Sequence, residues 1–182
     1  MILVTGGDRS GKSDFAEKLA KQHQAVLYIA TAKAFDEEME KRIQKHKSRR
    51  PHHWHTWEGY THLPETILKK QREYDCILLD CVTLLLTNLL FLYSQTEDSE
   101  KMDFENLEKK LLSEVTSLAK VCQKASCQVI VVTGEIGLGI VPADKLSRHF
   151  RDIMGKANQI LAQNAQEVYF LVSGIPMKIK EE

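Results

Sequence analysis

Five short runs of the chain are almost continuously apolar: residues 2–5, 25–30, 76–79, 129–133 and 168–172. A strand with one wet face alternates apolar and polar residues, so runs without alternation predict parallel strands buried on both faces. The segments between them carry apolar residues at helical spacing, over 12–23, 36–47, 63–71, 104–124 and 143–164. Strand and helix alternate, and this order predicts an α/β fold with a mostly parallel, doubly wound sheet flanked by helices. A further block, 81–93, is apolar all the way round but too short to cross a bilayer, so it predicts a helix buried in the domain or at a subunit contact. The polar, acidic stretch 94–103 then predicts an exposed loop.

The turn after the first run carries the most specific chemistry. Gly6-Gly7-Asp8-Arg9-Ser10-Gly11-Lys12-Ser13 satisfies G-x-x-x-x-G-K-[ST] at every position, between a strand pattern and a helix pattern as the mechanism requires. The glycines let backbone N–H groups turn toward an anion, and the following helix presents its positive N-terminus. Lys12 is set to reach the β and γ phosphates of a nucleoside triphosphate, and the Ser13 hydroxyl to ligate Mg²⁺. The helix predicted over 12–23 lines up Phe15, Leu19 and Ala20 as its apolar stripe. A P-loop NTPase fold follows. The third run ends in Asp80, the form of the second P-loop motif, in which a carboxylate holds Mg²⁺ directly or through water. An isolated strand-end Asp commonly serves only the turn after it; paired with the complete loop upstream, Asp80 reads as the metal-side acid.

Composition narrows the partners. With 182 residues and 43% hydrophobic content, the chain can bury one good core, and one domain over 1–182 is expected. Lys plus Arg (25) equals Asp plus Glu (25), so no global basic field draws the chain to nucleic acid or anionic membrane. No stretch reaches the length of a membrane span and the first residues enter a strand directly, so a cytoplasmic location is expected. Cys76 and Cys81 share the spacing of Cys122 and Cys127, but an odd separation across a strand points side chains to opposite faces, and structural thiols are the better reading.

Within this neutral chain, residues 41–58 concentrate cations and histidines: Lys41, Arg42, Lys45, Lys47, Arg49 and Arg50 with His46, His52, His53 and His55. On the helix predicted over 36–47, Met39, Ile43 and His46 fall on one stripe, so His46 points toward the body of the protein. Two accounts of His46 stand: a core-edge histidine with a satisfied hydrogen bond, or an imidazole kept neutral and nucleophilic by surrounding cations that also neutralise a triphosphate. Pattern alone favours the first. His52, His53 and His55 lack the cysteine or acidic partners of a tetrahedral metal site and read as surface residues. The segment 134–142, with Gly134, Gly137 and Gly139, follows the fourth run and permits either close backbone approach to a ligand at the sheet's carboxyl edge or a simple flexible loop.

Taken in order, these segments resemble one family: the bifunctional adenosylcobinamide kinase and adenosylcobinamide-phosphate guanylyltransferase of cobalamin assembly. The carriers are the loop Gly6 to Ser13, then Tyr28-Ile29-Ala30-Thr31-Ala32, Asp36 to Met39 with Arg42, Ile43 and His46, and Trp54, Thr56 and Glu58. They continue with Leu78 to Cys81, Asn88, Gly137 to Pro142, Arg148, Phe150 to Asp152, Gly155, Asn158-Gln159 and Ser173-Gly174. The resemblance implies phosphorylation of adenosylcobinamide by ATP or GTP, followed by transfer of GMP from GTP to the phosphate through a guanylylated histidine at His46. It reverses the pattern-only preference for a structural His46. It further implies nucleotide contacts from Ala30, Thr31 and Ala32, from Lys47, Ser48, Arg49 and Arg50, and from Glu58 and Asp80, with Mg²⁺ as cofactor. It also implies a homotrimer assembled through helices. Two positions depart from the family pattern: Gly134 stands where Asn is frequent, and the acid at 80 is Asp where either acid occurs. A plain P-loop kinase with a structural His46, or a nucleotide-dependent switch, are the rival readings; the chain lacks the N-K-x-D motif of switch GTPases.

Overall fold

The computed structural model describes residues 1–33, 37–96 and 98–181; within the second helix, the side chains at 38, 39, 42, 45, 46 and 49 fall outside the description. Seven strands form one sheet: β1 Ile2–Gly6, β2 Val26–Ala30, β3 His55–Glu58, β4 Cys76–Asp80, β5 Gln128–Val132, β6 Glu167–Val172 and β7 Ile175–Glu181. Their spatial order is β3-β2-β4-β5-β1-β6-β7. All neighbours pair in parallel except β6 and β7, which pair antiparallel. The helices are α1 Lys12–Ala20, α2 Glu37–Arg49, α3 Leu63–Lys70, α4 Val82–Ser94, α5 Phe104–Lys124 and α6 Lys145–Asn164.

The five apolar runs are the five central strands, and period-2 alternation divides their side chains between two cores. Leu27, Ile29, Ile77, Leu79, Val129 and Val131 face the larger core with α3, α4, α5 and α6. Val4, Val26, Tyr28, Leu78, Ile130 and Val132 face a smaller one closed by α1 and Trp54. Helix α5 buries Leu107, Leu111, Val115, Leu118 and Cys122, an unbroken stripe at three- and four-residue spacing. Among the described residues, no helix is long and apolar enough to cross a membrane.

Two strands escape the apolar-run criterion. Strand β3, His55-Thr56-Trp57-Glu58, is an edge strand whose residues are mostly exposed, so it never needed an apolar run. Strand β7 is the opposite edge, joined to β6 by a two-residue turn in which Ser173 (φ 52°) and Gly174 (φ 81°) both take left-handed conformations, the geometry that matches hairpin twist. Several boundaries also shift. Helix α1 ends at Ala20, and its fully buried face is Ala16, Glu17 and Ala20, with Phe15 and Leu19 only partly covered. Helix α6 begins at Lys145 because the Asp144 carboxylate accepts the Ser147 backbone N–H as its cap. The stretch 94–103 contains a short 3₁₀ turn, Ser99–Lys101, and buries Met102 against the larger core. Asp36 lies outside the described residues.

Candidate active site

Parallel strands deliver their carboxyl ends to one edge, and there the loop after β1 opens beside the ends of β2, β4 and β5. The resulting cleft has a volume of about 740 Å³. Its floor is the phosphate loop from Asp8 to Ser13; its walls include Ala30 and Ala32 after β2, Asp80 and Cys81 after β4, Gly134 and Ile136 after β5, and Thr83 and Leu84 at the start of α4. Helix α2 borders it through Lys41, Ile43 and Lys47, followed by Arg50 and, from β3, Glu58. Of the residues predicted from sequence, the structure therefore gathers Asp8, Arg9, Ser10, Gly11, Lys12, Ser13, Ala30, Ala32, Lys47, Arg50, Glu58 and Asp80 around one cavity. A smaller cavity, about 320 Å³, lies at the amino ends of the strands against Met1, Cys122 and Gln166 and contains none of them.

The loop's shape is held from behind. Gly6 adopts φ 153° and Gly11 φ 90°, and Gly11 is also the N-cap residue of α1. The Gly6 carbonyl accepts from Glu135 N–H (2.9 Å), and the Ser10 carbonyl accepts from Gly174 N–H (3.0 Å) in the β6–β7 turn. Lys12 donates through Nζ to the Gly7 carbonyl, folding the ammonium back over the loop. Ser10 is buried, and its hydroxyl, packed beside Gly6, has no hydrogen-bond partner among the described residues.

At the end of the loop, the Ser13 hydroxyl lies 3.4 Å from Asp80 Oδ1, and the Tyr28 phenol donates to Asp80 Oδ2 at 2.5 Å. Two oxygen donors at the cleft floor, one of them a carboxylate, match the hard-ligand preference of Mg²⁺, which keeps several waters and takes its remaining ligands from phosphates. No cluster of three or more His, Cys, Asp or Glu side chains suited to a metal occurs among the described residues, so a softer, all-protein metal cage has no support there. His52, His53 and His55 are exposed, and His55 Nδ1 engages the Tyr74 hydroxyl at 2.7 Å.

The segment after β2 is pinned to the β4 turn. Thr31, buried, donates its hydroxyl to the Cys81 carbonyl (2.7 Å) and accepts the Cys81 N–H (2.9 Å), while Asn88 from α4 donates to the Thr31 carbonyl (2.8 Å). Thr31 thus shapes the cleft from beneath without lining it. Burial pushes the thiols of Cys76, Cys81 and Cys122 up to about 12, so they remain protonated and unreactive at neutral pH. Lys47 and Glu58, both expected at the nucleotide, form an ion pair with each other at 2.6 Å. Ser48 is exposed; the side chains of His46 and Arg49 lie outside the described residues, although both backbones belong to α2.

Tyr28 and Trp54, which the sequence marks only as carriers of the family resemblance, and Glu17, which it does not single out, lie beneath this floor. Tyr28 is buried in β2, Trp54 lies against it with ring centroids 6.4 Å apart, and the Arg50 guanidinium sits 3.6 Å above the Tyr28 ring. Glu17, on the buried face of α1, has its carboxyl held above the usual range, first by burial and then by the charge of Asp80. Burial, and then the Asp80 charge, likewise raise the Tyr28 phenol, which keeps it a donor. The signal for Tyr28 and Asp80 meeting was present in parity: positions 28, 30, 78 and 80 share one face of the sheet, in register.

Comparison with known proteins identifies the family. A family model described as cobinamide kinase / cobinamide phosphate guanyltransferase matches residues 2–179. The bifunctional adenosylcobalamin biosynthesis protein CobU of Escherichia coli is 48% identical over 180 residues, covering 99% of both chains. Its namesake in Salmonella typhimurium is 49% identical over 180 residues, again with 99% of each chain covered. Among solved structures, an ATPase of a type III secretion system superposes with a TM-score of 0.53 at 9% identity, over 94% of this chain and 51% of that one, a likeness of fold alone. Nothing in these matches favours a plain kinase or a switch. With a full-length family match and near-half identity to curated members, the chain belongs to the cobinamide kinase / cobinamide phosphate guanyltransferase family.

Proposed function

We propose that this enzyme phosphorylates the free hydroxyl of adenosylcobinamide with ATP or GTP and then transfers GMP from GTP onto that phosphate, giving adenosylcobinamide-GDP and pyrophosphate. The observation that carries the reading is the convergence, in one cleft, of the phosphate loop, Asp80 and the cation-rich helix whose backbone includes His46. In the first reaction the loop amides and Lys12 hold the triphosphate while the acceptor hydroxyl attacks the γ phosphorus, and the nucleoside diphosphate leaves. In the second, a ring nitrogen of His46 attacks the α phosphorus of GTP. The bond to the bridging oxygen breaks and pyrophosphate departs. A phosphate oxygen of the corrinoid then displaces the histidine, breaking the phosphorus–nitrogen bond and restoring free imidazole.

Ser13 and Asp80 are the residues that would hold Mg²⁺, which when bound offsets charge on the phosphates. Ala30 and Ala32, held in place by Thr31 beneath them, with Lys47, Ser48, Arg49, Arg50 and Glu58, form the nucleotide contacts of this reading, and the Lys47–Glu58 ion pair opens as a triphosphate takes over the lysine. A homotrimer belongs to the same reading, supported by Phe91 and Leu92, which α4 leaves exposed at its end.

The test is incubation with Mg²⁺ and GTP labelled on the α phosphate, then denaturation and peptide mass mapping. An acid-labile, alkali-stable GMP adduct on His46 is expected; His46→Ala loses the adduct and guanylyl transfer but retains kinase turnover, whereas Lys12→Ala impairs the kinase reaction. Undiminished guanylyl transfer by His46→Ala removes the covalent mechanism.

A further inference from the structure

The Asp80 carboxylate is held at two points. Its Oδ1 faces the Ser13 hydroxyl at 3.4 Å, and its Oδ2 accepts the Tyr28 phenol at 2.5 Å. A hydrogen bond that short to a carboxylate is charge-assisted, stronger than one between neutral groups. Without it, the terminal torsion of an aspartate is broad and the oxygen presented to Ser13 is unspecified. The phenol itself cannot drift: Tyr28 is 1% exposed, Trp54 lies against its ring, and the Arg50 guanidinium caps the ring at 3.6 Å. The Arg50 Nε has no hydrogen-bond partner among the described residues, so the aromatic face is the contact that the structure gives this part of the guanidinium. A phenylalanine would fill the same space in the core. The hydroxyl therefore serves the carboxylate rather than the packing.

We infer that Tyr28 is a positioning residue for the metal-side carboxylate: clamped between Arg50 and Trp54, it fixes the orientation of Asp80 so that one oxygen is presented beside Ser13. The inference rests on the reading of Asp80 as the Mg²⁺-side acid. It also ties the end of α2 to the phosphate-loop side of the cleft, because Arg50, one residue past that helix, bears on Asp80 through the Tyr28 ring. Groups that orient a metal-ligating side chain typically change metal affinity by about tenfold or more when removed.

The experiment measures binding of a fluorescent GTP analogue to the full chain as Mg²⁺ is titrated, in wild type, Tyr28→Phe and Asp80→Asn. The readout is the Mg²⁺ concentration giving half of the metal-dependent tightening, which a general loss of nucleotide binding does not move. Tyr28→Phe is expected to raise that concentration about tenfold, and Asp80→Asn to abolish the metal dependence. A Tyr28→Phe protein with wild-type half-saturation, whatever its overall affinity, overturns the positioning role while leaving Asp80 intact. Wild-type metal dependence in Asp80→Asn instead overturns the reading of Asp80, and the inference falls with it.

Discussion

The three glycines of the phosphate loop are chemically alike in the motif but not in the structure, and substituting each by alanine separates them. At Gly6 a Cβ would stand 2.5 Å from the Leu171 carbonyl oxygen and 2.8 Å from Ser10 Oγ, at a backbone φ of 153°. The nearest atom is backbone of the neighbouring strand β6, which cannot swing aside as a side chain can. Left-handed backbone strain costs about 1–3 kcal/mol, and forced overpacking about 1–3 kcal/mol more. Gly6→Ala should therefore lose about 2–6 kcal/mol. For a chain of this length each kcal/mol lowers Tm by roughly 2–4 °C, so a drop of about 4–24 °C is expected. Nucleotide binding should fall with it, because the shift displaces Ser10 and the loop amides. At Gly7 nothing lies within 4 Å of the added carbon and φ is not positive, so Gly7→Ala should keep its stability to within about 0.5 kcal/mol. Gly11 is intermediate: φ 90° imposes strain, but the closest neighbour is Gly174 Cα at 3.3 Å. Thermal denaturation with GTP titration on the three variants decides the matter. A Gly6→Ala protein as stable as wild type, or Gly7→Ala as damaged as Gly6→Ala, would refute the steric reasoning.

Two further outcomes follow from groups away from the loop. Glu17 has a raised carboxyl pKa, so the folded state holds its proton more tightly than the unfolded chain does. Its contribution is then full below the ordinary value of 4.5 and is lost as pH rises through the raised folded value. Glu17→Gln should match wild type at acid pH and become the more stable protein toward neutrality; a stability offset independent of pH would contradict this. Leu111, fully buried on α5, packs in the larger core. Leu111→Ala should cost about 2–5 kcal/mol in urea denaturation yet leave GTP affinity intact, because the loop and α1 belong to the other face of the sheet; a matching loss of affinity would show the two faces to be coupled.

The elements legible in the chain were those whose local pattern and tertiary role coincide. The strands β1, β2, β4 and β5 are buried on both faces and β6 in part, so these runs are apolar whatever else the fold does. Helix α5 has one wet and one dry side, and its stripe from Leu107 to Cys122 states this directly. Edge strands have no such obligation. His55 to Glu58 pairs through backbone groups alone on one side of β2, and Ile175 to Glu181 owes its place to the two-residue turn at Ser173-Gly174. On α1 the stripe of Phe15, Leu19 and Ala20 does pack against the smaller core, but pattern gave no sign that Glu17 would be more buried than Phe15 or Leu19.

The phosphate loop, the acid at 80 and the cationic stretch before β3 were specified by sequence because each is a local device: a turn, a strand end and a run of charge, whose residue types are dictated by the chemistry they perform. What tertiary structure alone decided is how these devices meet. Tyr28 and Asp80 are 52 positions apart, and their contact follows from β2 and β4 lying side by side in register; Arg50 and Trp54 likewise reach the Tyr28 ring only in the folded chain. Lys47 and Glu58 likewise close on one another only because α2 returns to the edge of β3. Local pattern is set by the neighbours along the chain and by burial; which strand lies beside which is set by the packing of the whole sheet, and that placement turned an apolar-strand tyrosine into part of the site.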